Sequence, residues 1–301
     1  MRLTPLARPL TAVAAAALVV GALTGCTGSA LGGGCTPEFQ PGDASKAVSV
    51  SGEVGATPVI TYPTPLLVET AERSVVVPGD GATAVEGSAL LVGVTFRDAA
   101  SDAVVDAVSG LITASDDFLT LGSSLVCANE GSRLVLVGPS SDIWPQAPSE
   151  YVVAVIDVLQ VFLGKANGVN QLPLDGMPTV VTAVDGTPGI ALAYSSAPDE
   201  VRVSTVKAGG GATVRDGDTV IRHTRTWSWP RTEGGTPSLG TFDTWAGFQP
   251  RPLDALAESD DPAARAVVGA KVGSQLLVVT PGVDGGAATI YVIDILGIIA
   301  E

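Results

Sequence analysis

Three blocks of this sequence occur twice in the same order, and that repetition constrains the fold more than any other feature. Gly81-Ala82-Thr83 followed by Gly87-Ser88 returns as Gly211-Ala212-Thr213 followed by Gly217-Asp218. Gly131-Ser132-Arg133-Leu134-Val135-Leu136-Val137-Gly138-Pro139 returns as Gly273-Ser274-Gln275-Leu276-Leu277-Val278-Val279-Thr280-Pro281. Val155-Ile156-Asp157-Val158-Leu159 returns as Val292-Ile293-Asp294-Ile295-Leu296. One Val-rich strand resembles another by chance, but three blocks in register do not. The chain is therefore read as a tandem duplication of a unit of roughly one hundred residues. A unit of that size can bury its own core, so two copies predict two domains and not a solenoid.

Each unit reads as α+β. Short runs rich in Val, Ile and Thr, such as 59–62, 74–77, 89–94, 134–137 and 151–159, alternate with turn residues. Among 301 residues, 36 Gly and 21 Pro supply those turns. One short helix is expected per unit. In the second it begins with Asp261 as N-cap and Pro262 at the first position. In the first the signal is weaker, near residues 116–121. The expected architecture is an antiparallel sheet curved over a helix in each of two domains, 46–162 and 201–301. Residues 163–200 read as a connector, in which 179–182 and 190–193 flank Asp185-Gly186 as a hairpin.

The N-terminus carries an address. Arg2 and Arg8 precede an apolar run over 10–23, the pattern of an export signal over 1–25. The run is shorter than the roughly 20 residues of a spanning helix, although a short anchor is the alternative. It ends in Leu23-Thr24-Gly25-Cys26, which resembles the bacterial lipobox. Cleavage before Cys26 and lipid on its sulfur would leave 26–45 as a flexible tether and hold the protein to the outer face of the cell membrane. Outside the cell, Cys35 and Cys127 are expected to form a disulfide, with two buried thiols as the alternative.

The formal net charge of −15 repels phosphate and argues against a nucleic-acid partner. His223 is the only histidine and no Gly-x-Ser-x-Gly elbow accompanies it, which argues against a hydrolase. Asp98, Asp102 and Asp106 lack the EF-hand pattern and read as a solvated face, so no metal site is expected. Trp227, Trp229, Trp245, Phe242 and Phe248 cluster in one stretch, as a binding groove or as core.

The second unit has a further likeness. Gly211-Ala212-Thr213, Gly217-Asp218-Thr219-Val220, Thr241-Phe242-Asp243-Thr244, the short helix, the turn at 272–275 and the strand at 290–296 together resemble the FKBP-type peptidyl-prolyl cis-trans isomerase domain, above all the tandem-domain lipoproteins of actinobacteria. The resemblance implies a half-wrapped sheet around one helix and rotation about an X–Pro bond. It needs no cofactor, because no covalent bond breaks. Proline-containing exported polypeptides would be the partners, and the protein is expected to act as a monomer. The implied pocket residues are Phe242 as wall, Asp243 as its polar partner, Tyr291 from the last strand, and His223 where the family has a strand Tyr. Two family features are missing. Ser259, Asp260 and Ala263 fall where a floor Trp belongs, and the loop at 282–288 carries no Tyr. Trp245 could refill the pocket. The first unit has Gly93 in place of the strand Tyr and no Phe-Asp pair, so it is expected to be inactive.

Overall fold

The Val-rich runs form strands, and every ladder between them is antiparallel. The computed structural model describes residues 35–115, 119–192, 196–232, 234–247, 249–283 and 286–300. The export signal, Cys26 and Phe248 lie outside these residues. The chain divides into two units, Met1–Cys35 and Thr36–Glu301.

The chain enters the first half through α1 (Asp43–Ala47), β1 (Ser49–Ser51) and β2 (Val59–Thr61). It continues through β3 (Glu72–Val77), β4 (Ala89–Asp98), β5 (Val104–Thr113), α2 (Leu119–Ser123), β6 (Arg133–Pro139), α3 (Ser140–Ile143) and β7 (Tyr151–Val161). The second half has β8 (Val169–Asn170), β9 (Thr179–Thr182), β10 (Pro188–Ala191), β11 (Arg202–Ala208), β12 (Thr219–Ser228) and β13 (Ser238–Asp243). It ends with β14 (Arg251–Asp254), α4 (Pro262–Val267), β15 (Gln275–Thr280) and β16 (Thr289–Ile298).

The two main sheets repeat one topology. The five-stranded sheet has the order β3-β6-β7-β4-β5, and the seven-stranded sheet holds the matching run β11-β15-β16-β12-β13, with β8 added beyond β11 and β14 also paired with β12. Finer details repeat as well. Isolated bridges join Thr83 to Asn129 and Thr213 to Lys271. Gly87 and Gly217 have φ of 82° and 90°, and Gly131 and Gly273 of 82° and 89°. These left-handed turns favour glycine, which is why the glycines of the repeated blocks survive in both copies. One difference matters below. β5 is a continuous edge strand, whereas its counterpart is split into β13 and β14 around residues 244–250.

The central strands β6, β7, β15 and β16 are buried on both faces, which explains their nearly unbroken apolar runs. In the first half, Leu90, Phe96, Leu134, Leu136 and Ile156 pack with Leu121 and Leu125 on one face. Val135, Val137, Val153 and Val155 pack on the other, under Ala44, Val48, Ile60 and Leu66. In the second half, Leu276, Val278, Ile293 and Ile295 pack under Ala263 and Val267 of α4. Leu277, Val279, Ile290 and Val292 pack on the other side with Met177, Trp227 and Trp229, against Val180 and Ile190.

Two flanking segments pack onto the sheets. Ser45 lies in the expected tether, yet it is 1% exposed and bonds Ser74 Oγ at 2.7 Å, so the chain is already docked there. The β9–β10 hairpin within residues 163–200 covers the sheet of the second half as α1, β1 and β2 cover that of the first, because an uncovered apolar face would be left in water. The halves also share a core, in which Ala89, Leu91 and Leu111 meet Ile221, Leu296 and Phe162. A Cβ at Gly297 would stand 2.4 Å from Phe162 Cδ1, so the glycine permits this close approach.

Candidate functional site

β12, β13 and β16 carry the residues that the sequence singles out, and strand alternation decides which of them meet. Tyr291 packs at the edge of the α4-side core, beside Val267, Val278 and Ile293. Its register partner on β12 is Thr226, two positions from Thr224, which pairs with Ile293 of the same core. Arg222 falls on this face, and its guanidinium carbon lies 4.9 Å from the centroid of the Phe242 ring. Asp261 caps α4 by accepting from the Ala263 N–H at 2.9 Å. Its charge reaches both neighbours. Burial, and then Asp261, push the Tyr291 phenol above its ordinary value. Burial lowers the Arg222 guanidinium to about 10, and Asp261 works against that shift. Arg222, Phe242, Tyr291 and Asp261 thus form one constellation. Phe242 is its open member at 43% exposure, while Arg222 is 7% exposed.

His223 and Asp243 point the other way. His223 is fully buried and stacks on Trp245 at 4.1 Å between ring centroids. Its Nδ1 bonds Thr244 Oγ1 at 2.9 Å, and its Nε2 is buried without a partner. Burial drives its pKa down to about 4, so the ring is neutral at pH 7. Asp243 receives the Arg225 guanidinium at 2.8 Å and the Trp245 N–H at 3.0 Å. Burial alone would raise this carboxyl, but those bonds outweigh it and hold it below the usual carboxylate range. Asp243 therefore pins the turn that places Trp245 on His223. His223 and Trp245 thus lie on the opposite face of the sheet from Phe242, and Arg222, one residue before His223, lies on the Phe242 face.

Trp227 and Trp229 are core, 7% and 3% exposed under the β9–β10 hairpin. In the first half, Ala154 stands by register where β16 has Tyr291, and Phe96 where β12 has Thr226. Phe96 is fully buried and stacks on Trp144 at 4.8 Å, so side chains fill the matching face.

Behind the sheets, each half carries an aspartate at the same place on its last strand. Asp157 takes two bonds from Arg133, at 2.5 and 2.6 Å, and the Gly55 N–H at 2.7 Å. Asp294 takes Gln275 Nε2 at 2.7 Å and the Ala166 N–H at 2.8 Å. Both carboxylates anchor the segment that covers their sheet. The repeated blocks display these aspartates, but not the Arg-to-Gln change at their partners as a functional difference.

Cys35 and Cys127 are both disulfide-bonded. Asp98 caps a turn by accepting from the Ala100 and Ser101 N–H groups, and Asp102 pairs with Arg97 at 2.7 Å. Among the described residues no group of three metal-ligating side chains gathers, and no helix is long and apolar enough to cross a membrane. Two cavities lie away from Phe242. One of about 490 Å³ is lined by residues of β8, β9 and β11, and one of about 640 Å³ lies between the sheets.

Sheet topology and register define a duplicated, largely antiparallel β-protein with few helices. Among solved structures it resembles the three FKBP domains of wheat FKBP73, at 14% identity over 77% of this chain and 95% of that one, with a TM-score of 0.31. It also resembles the N-terminal domain of FKBP42 from Arabidopsis thaliana, at 22% identity over 36% of this chain and 97% of that one, with a TM-score of 0.28. FkpA from Escherichia coli matches at 15% identity over 42% of this chain and 52% of that one, with a TM-score of 0.26. No protein-family model matches the chain, and no curated protein matches it.

Proposed function

We propose that this chain is a peptidyl-prolyl cis-trans isomerase-like lipoprotein that assists the folding of exported proteins through its second half. The reading takes each half as an FKBP-like domain, with Cys26 lipidated at the outer face of the cell membrane. The observation that carries it is the Phe242 ring. It is a large aromatic left 43% exposed over Arg222, on the face of the sheet that also carries Tyr291, whose counterpart in the first half is filled by Phe96 and Trp144. An exposed ring on the same face as a half-buried phenol suits the apolar ring of proline.

X–Pro rotation has a barrier of about 18–20 kcal/mol. A site lowers it by binding the twisted amide better than either planar form. Phe242 and Tyr291 would grip the proline ring, and water exclusion would weaken amide resonance. The test is a protease-coupled proline-peptide assay on the whole mature chain. Acceleration above the uncatalysed rate is expected, with Phe242→Ala reducing it at least tenfold. No acceleration at micromolar protein would overturn the catalytic reading. For the anchor, Cys26→Ser is expected to release the protein from membranes; a variant that stays membrane-bound in high salt would refute it.

A second reading, a non-catalytic binding or chaperone-like lipoprotein, is favoured by one observation. Ala263, which the family resemblance aligns with the floor ring, is small and 3% exposed, so on that alignment a bound proline would lack an aromatic platform. Peptide binding without acceleration would select this reading.

A further inference from the structure

The geometry points to Arg222 as the donor that holds a carbonyl oxygen of the bound polypeptide at the Phe242 face. The inference rests on the proposed reading of that face and names a contact within it.

The fold does not require a cation here. In the first half the register puts Val92 at this place, 1% exposed within the apolar core. The second half instead buries a guanidinium, and a buried charge is costly unless it is paired and fully hydrogen-bonded. Arg222 is neither. Among the described residues it makes no ion pair within 4.0 Å. Its Nη1 donates to Thr224 Oγ1 at 2.6 Å, while its Nε is buried with no partner. The Phe242 ring, on the edge strand β13, covers the guanidinium at 4.9 Å and is itself 43% exposed. A rotation of that side chain uncovers the donor, a motion open to exposed residues on short timescales.

Charge selects the acceptor. Asp261 already offsets the guanidinium in part, as its influence on both Arg222 and Tyr291 shows. A second carboxylate would meet repulsion from Asp261, whereas a neutral peptide carbonyl would not. The ligand class is therefore a polypeptide with a backbone carbonyl beside an apolar residue, the chemistry of an X–Pro segment.

The test uses the full mature chain and an uncharged, end-capped proline peptide. Arg222→Val installs the first half's residue, and Arg222→Lys keeps the charge but removes Nε. Thermal midpoint, peptide affinity and the KM-against-kcat split are measured for both. The midpoint of Arg222→Val is expected at or above that of the wild type, because an unsatisfied buried cation is removed. Its peptide Kd is expected to weaken tenfold or more, the scale of a hydrogen bond to a charged donor. Arg222→Lys should weaken it as well. Either variant binding as tightly as wild type, or a lowered midpoint for Arg222→Val, overturns the assignment of Arg222 and leaves the reading of the face intact. A wild-type chain that binds no proline peptide overturns the reading of the face and the assignment with it.

Discussion

Asp157→Asn is expected to destabilise the protein by about 3–5 kcal/mol, the cost of breaking a buried ion pair from one side. Arg133 is fully buried, and Asp157 is its only carboxylate partner among the described residues. The guanidinium also donates to the carbonyls of Gly52 and Glu53, at 2.8 and 2.7 Å, so it fastens the loop after β1 to β6. The amide leaves the cation without counter-charge and offers one acceptor oxygen, not two, to the donors of Arg133 and Gly55. Urea unfolding at pH 7 checks this. A change below about 1 kcal/mol would mean that water enters and solvates Arg133. Replacing both partners with apolar residues should cost much less than the single change.

At the matching place in the second half the sign reverses. Gln275 cannot neutralise Asp294, and burial pushes that carboxyl up to about 6 against the bonds from Ala166 and Gln275. Its folded-state value lies above the ordinary 3.8, so the folded protein holds a proton that the unfolded chain has released. This contribution is fully present below about pH 4 and lost as pH rises through about 6, a change of about 3 kcal/mol. His223, the register partner of Asp294, acts in the opposite direction. Its value falls from 6.5 to about 4, so its contribution is present above pH 6.5 and lost as pH drops through 4. The two offset each other in the wild type. Asp294→Asn is therefore expected to stabilise the protein at pH 7 and to lose that advantage by pH 4. Unfolding midpoints of the two proteins at pH 7, 5 and 4 test this, because all other titrating groups cancel in the difference. Parallel curves would contradict it.

How far the sequence reveals this molecule depends on the residue. The duplication is legible because Gly87, Gly131, Gly217 and Gly273 need left-handed backbone, so the turns leave marks that strand exchange cannot erase. The α4 helix is legible because Asp261 and Pro262 are position-specific signals. Covering segments are harder to read. Met177, Val180 and Ile190 lie among glycines and prolines and gain meaning only from the sheet they cover. The site was partly legible. Phe242, Tyr291 and Arg222 share one face of the sheet, whereas His223, one residue along β12, turns to the other, because one step along a strand reverses the face. The break between β13 and β14 that sends Trp245 to the far side has no counterpart in β5, so comparison of the copies cannot foresee it.

The central claim is that the Phe242 face of the second half is where this protein meets an X–Pro segment. Backbone and side-chain NMR of the mature chain during titration with a capped proline peptide tests it most directly. The account predicts shift changes centred on Phe242, Tyr291 and Arg222, with the Phe96–Trp144 face of the first half silent. Shifts confined to the cavity lined by residues of β8, β9 and β11, or none at saturating peptide, would contradict it.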